Sequence, residues 1–72
     1  MSRPGWEVAA IDLMRELGYS MVATEAYRGE RSVLESLRFV VNCSRKSAPW
    51  RHHIARVALH VAEVEQARGG AS

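Results

Sequence analysis

Apolar residues recur at helical spacing in three long stretches of the chain, and more briefly in a fourth. Trp6, Ala10, Leu13 and Leu17 follow one another at steps of four, three and four. Ala9 and Met14 widen that stripe, so one face of a helix is apolar. Gly18 stands where a C-terminal cap belongs, and Ser2 and Pro4 stand at the start. The pattern predicts a helix over 5–17. Val8 and Ile11 lie off the stripe, so this helix should be covered on two sides.

The second stretch is short. Ser20 is placed to cap a helix over 21–28, and Gly29 to stop it. Val22, Thr24 and Tyr27 favour helix weakly, and two turns are marginal by themselves.

The sequence SVLE, residues 32–35, has the form of a capping box. The Ser32 hydroxyl would accept from the Glu35 amide while the Glu35 carboxylate reaches back. Leu34, Leu37 and Val41 then share a face, with Val33 and Val40 beside them, over a helix at 33–43. Leu37, Phe39, Val41 and Cys43 also alternate as a strand would. A strand without a partner cannot stand, so helix is the better reading.

A polar segment, NCSRKSAP, covers 42–49. Pro49 suits the first turn of a helix, with Ser47 or Ala48 as its cap. Trp50, Ile54, Val57, Val61 and Val64 follow at steps of four, three, four and three. Ala55, Ala58, Leu59 and Ala62 broaden the stripe, which predicts a helix over 49–67 ended by Gly69 and Gly70. There is no internal repeat.

These elements amount to an all-α chain, a bundle of three to four short helices at about 5–17, 21–28, 33–43 and 49–67. The last should pack across the first and third. The expected organisation is a single helical domain over 1–68 with a flexible tail at 69–72. A domain of this size buries only about 60% of its unfolded surface and often needs a second subunit. The 3.5-residue repeat of the last stripe adds to that expectation. A homodimer is therefore expected, with Phe39 or the seam of the last helix in the contact.

Composition narrows the setting. Cys43 is the only cysteine, so no disulfide closes within the chain, and it reads as a small buried thiol in a reducing compartment. The opening MSRPGWEVAA lacks the apolar stretch of a signal peptide or a membrane span. A cytoplasmic protein without a membrane partner is expected.

The net charge is +2, and its arrangement matters more than its size. No acid falls between Leu37 and Ala62, where Arg38, Arg45, Lys46, Arg51, Arg56 and all three histidines lie. Several of these crowd the entrance of the last helix, where positive side chains oppose the helix dipole by a few tenths of a kcal/mol each. An anionic partner would relieve that cost. Arg51 and Arg56 should both be largely exposed.

Candidate chemistry is sparse. Cys43 has no histidine at a fixed spacing, and Gly5, Gly18 and Gly29 punctuate helices instead of forming a phosphate loop. No enzyme and no cofactor is expected. His53 and His60 are seven residues apart, about 10 Å along a helix, too far to share an ion. His60 with Glu63 supplies only two ligands, so no metal is expected.

One stretch bears on DNA. LGYS, residues 17–20, resembles the turn of a helix-turn-helix protein, with Leu13 and Leu17 where such motifs place apolar residues. The resemblance covers about 20 residues and implies a recognition helix at SMVATEAYR. Met14 stands where a small residue is wanted and Thr24 where an apolar β-branched one is wanted. Glu25 would repel phosphate, and Arg28 is the only base in that helix.

The basic edge and the exposed aromatics carry the functional expectation. Phe39, Arg45, Lys46, Trp50, Arg51, His52 and Arg56 are the candidate partner-binding residues. The leading expectation is a small non-enzymatic regulatory or inhibitory protein, of bacterial or phage type, that binds a larger protein with an acidic surface. The transcription machinery and host defence complexes are the target classes. The alternative is a small helix-turn-helix transcription regulator that binds DNA as a dimer.

Overall fold

The computed structural model describes residues 3–69 and builds them from four helices. These are α1 (Gly5–Glu16), α2 (Ser20–Tyr27), α3 (Val33–Ser44) and α4 (Pro49–Gly69), with no strand among the described residues. All four expected helices form. The alternating segment 37–43 is helical, so the strand alternative falls. Gly69 is the last residue of α4 and not the first of a tail. The rest of that tail, 70–72, and the start signal at Ser2 lie outside the described residues. No helix is long and apolar enough to cross a membrane among the described residues.

Two glycines set the turns that fold α1, α2 and α3 back on one another. Gly18 has a φ of 99° and Gly29 a φ of 79°. An L side chain in that left-handed region costs about 1–2 kcal/mol. After α1 the Tyr19 amide donates to the Met14 carbonyl (2.9 Å) and the Gly18 amide to Arg15 (3.0 Å). After α2 the Glu30 amide donates to Glu25 (3.0 Å) and the Gly29 amide to Ala26 (3.2 Å). Both are Schellman closures, which satisfy carbonyls that a helix end leaves free.

Helix starts depart from expectation in one place. Ser20 is inside α2, and the preceding Tyr19 provides no side-chain cap. With weak formers and no cap, α2 depends on burying Ala23 and Ala26. Ser32 does cap α3, accepting from the Glu35 amide at 3.1 Å. The reciprocal bond from the Glu35 carboxylate is absent among the described residues, so half of the capping box forms. At α4 the Ala48 carbonyl accepts from the Arg51 and His52 amides, which puts Ala48 at the cap position before Pro49.

The core takes Ala10, Ile11, Met14 and Leu17 from α1, Ala23 and Ala26 from α2, and Val33, Leu37 and Val40 from α3. From α4 it takes only Ala55 and Ala62. The buried seam of α3 is turned from the expected one. Val33, Ser36, Leu37, Val40 and Ser44 are buried, while Leu34 and Val41 are half-buried. The two buried hydroxyls are satisfied locally: Ser36 donates to the Ser32 carbonyl (2.9 Å) and Ser44 to Val41 (3.0 Å).

Helix α4 lies mainly along α3 and also against α1. It runs antiparallel to α1. Its end, at Glu65 and Arg68, shares a recess with Pro4 and Trp6 at the start of α1. Its beginning reaches the other end of α1: a Cβ on Gly18 would stand 3.8 Å from Arg51 Nη1.

Candidate partner-binding surface

The loop after α3 and the first turns of α4 carry most of the expected site. Arg45 and Lys46 are exposed on that loop. Trp50 opens α4 and is 55% exposed, with the Arg51 guanidinium 5.3 Å from its ring centroid. That stacking and the approach to Gly18 leave Arg51 half-buried, not largely exposed as expected. A guanidinium beside the carbonyl end of α1 also complements that helix's dipole. Arg56 is exposed, and shares a shallow recess with His53, Val57 and His60.

His52 has a structural contact. Its Nδ1 lies 3.0 Å from Ser44 Oγ, and the Ser44 hydroxyl already donates to Val41. The serine has one hydrogen, so it accepts from His52, which assigns the His52 proton to Nδ1. The bond ties the end of α3 to the start of α4 across the loop that presents Arg45 and Lys46. Ser44 is fully buried, out of a substrate's reach.

Phe39 is 43% exposed but stands apart from this group. Its neighbour Arg38 faces α4, with Nη2 3.9 Å from Glu63 Oε2. One residue further is 100° further round the helix, which carries Phe39 to the flank away from α4. Cys43 is exposed and not the buried thiol expected from its isolation in the sequence.

The unpaired cations concentrate in one place. Arg3, Arg15, Arg28, Arg38 and Arg68 each face a carboxylate within 4 Å. Arg45, Lys46, Arg51 and Arg56 face none among the described residues, and outside this edge the same holds only for Arg31. The helix entrance is therefore a positive surface without internal compensation. Among the described residues no three His, Cys, Asp or Glu side chains gather closely enough to hold a metal ion.

The α1–α2 turn has a different character. Met14, at the position where helix-turn-helix motifs want a small residue, is completely buried in the core. The outer face of α2 shows Ser20, Met21, Tyr27 and Arg28, with Glu25 half-exposed. Met21 is 80% exposed, and Arg28 is paired with Glu30 at 3.9 Å. The guanidiniums of Arg3 and Arg15 each stand 5.8 Å from the Tyr27 ring centroid. This face carries little free positive charge for phosphate.

Another part of the surface is the seam of α4, expected in a homodimer contact and not in the basic site. Val57, Val61 and Val64 of α4 are 49%, 50% and 41% exposed, in line with Trp50. Beside them a cleft of about 220 Å³, almost wholly apolar, runs between α4 and α1 and is lined by Trp6, Ala9, Leu13, Ala58 and Val61. The signal was present as Ala55, Ala58 and Ala62, a row of small residues that lets α4 approach the bundle closely and turns the valines outward.

Comparison with known protein families, with characterised proteins and with solved structures finds no match to this chain.

Proposed function

We propose that this is a small regulatory or inhibitory protein that acts by binding a larger protein with an acidic surface. The contact is the α3–α4 loop and the first turns of α4: Arg45, Lys46, Trp50, Arg51 and Arg56. One observation carries the reading. These four cations lack a carboxylate partner among the described residues, while five other arginines of the chain have one. Trp50 adds a large exposed ring with a guanidinium stacked on it, the kind of anchor that dominates protein interfaces. His52 supports the loop from within, and Phe39 lies outside the contact.

Duplex DNA is the competing ligand, favoured by the glycine-closed turn between α1 and α2. The paired Arg28 and the neighbouring Glu25 weigh against it.

The test is a pull-down from the native cell, with and without nuclease. It compares the natural chain with an Arg45→Glu/Lys46→Glu variant of matched helicity. A stoichiometric protein should survive nuclease, be lost with the variant, and be released by salt, which screens exposed charges beyond about 8–10 Å. Loss of every bound component on nuclease treatment would transfer the function to nucleic acid.

A further inference from the structure

The cleft between α1 and α4, with the exposed stripe beside it, forms one apolar surface. It follows α4 from Trp50 to Val64, about 21 Å by the helical rise. Its residues repeat at steps of four and three, the spacing at which one helix seats against another.

The two borders of this surface differ in charge. On the α1 side Glu16 is exposed and repeats the position of Ala9 two turns later, with Asp12 further round. On the outer side of α4 lie exposed His53, Arg56 and His60. Glu16 and Arg56 are the border charges without an ion pair among the described residues, while Asp12 faces Arg15 at 3.4 Å. The borders are also level with each other. Because α1 runs antiparallel to α4, with Gly18 beside Arg51, Asp12 and Glu16 fall opposite the part of α4 that holds 53–60.

We propose that the occupant is a second copy of the chain, in a two-fold dimer whose α4 helices lie side by side and point the same way. A two-fold axis along α4 lays the acidic α1 border of each copy over the basic α4 border of the other. An axis across α4 would lay like charge on like charge. The first arrangement is self-complementary, as a two-fold contact must be. Each Val57, Val61 and Val64 then meets its own counterpart. The two helix entrances come to the same end, where Arg45 and Lys46 of both copies make one larger positive surface. Their mutual repulsion is exposed and screened, whereas the border pairs flank a dry seam.

The experiment reads self-association of the purified chain; Arg56 borders both surfaces, so the acidic-partner reading is tested apart from it through Arg45 and Lys46, which lie on the loop outside the seam. Sedimentation across the micromolar range should show a monomer–dimer equilibrium. Val57→Glu should weaken it roughly tenfold or more while helicity by circular dichroism is unchanged. An Asp12→Lys/Glu16→Lys variant and an Arg56→Glu/His60→Glu variant should each be monomeric, and mixing them should give a heterodimer. Cys43→Ser/Val57→Cys and Cys43→Ser/Val64→Cys variants should both crosslink on oxidation, because two positions seven residues apart both meet their own counterparts only when the helices are parallel. A monomer at every concentration, or a dimer indifferent to Val57→Glu, overturns the interface. A dimer that does not crosslink through both positions overturns the parallel arrangement.

Discussion

Helices α3 and α4 carry similar apolar patterns and use them in opposite ways. Helix α3 buries its branched residues: Val33, Leu37 and Val40 are in the core, and small Ser36 and Ser44 fit between them with their hydroxyls bonded to their own helix. Helix α4 buries alanines and exposes its valines, together with Trp50. Periodicity alone treats the two alike. The difference comes from side-chain size along each face. A face of Ala55, Ala58 and Ala62 lets two backbones come close, so that face is the one the bundle takes, and the broader valine face is left over. Half of a helix's apolar surface can thus be internal and half available to something else.

The comparison can be broken at its strongest point first. Leu37→Ala should cost about 2–5 kcal/mol, measured by urea denaturation, because the side chain is almost fully buried and the bundle cannot close the cavity. A loss well under that range would mean that α3 is no better packed than α4. Next, Ala55→Leu should destabilise by about 1–3 kcal/mol, since Ala55 has no exposed surface and added volume forces α4 off the bundle. A neutral or stabilising result would show that the alanine face is loosely seated. Smallest is Val64→Ala, which should change stability within about 0.5 kcal/mol at concentrations where the chain is monomeric. A larger loss there would show that the stripe is already covered within one copy.

Much of the fold is legible in the order of the amino acids. The positions of Gly18 and Gly29, the SVLE cap and the run of apolar residues after Pro49 are local signals, and each acts within a few residues of itself. Ser20 misled because a serine near a helix start is a good cap only if the backbone places it just outside the first turn, and here it lies inside. The candidate surface was readable in part. The acid-free segment from Arg38 to Val61 located the basic edge, because lack of internal compensation follows from composition alone. The roles of His52 and Arg51 were not readable, since one depends on a buried hydroxyl eight residues away and the other on the end of α1. Cys43 and Phe39 depended on which way α3 was rotated, a matter of one residue's turn.

By itself, then, the sequence determined helix content, the turns and the sign of the charge at the α4 entrance, because hydrogen bonding within helices, glycine's access to positive φ and net local charge are short-range properties. Only the tertiary structure decided which face of α4 would be sacrificed to solvent, that Ser44 and His52 would join α3 to α4, and that a cleft would open along α1. Those outcomes depend on four helices competing to bury more apolar surface than one small core can hold, and close packing settles that competition by size and shape, which no single stretch of the chain contains.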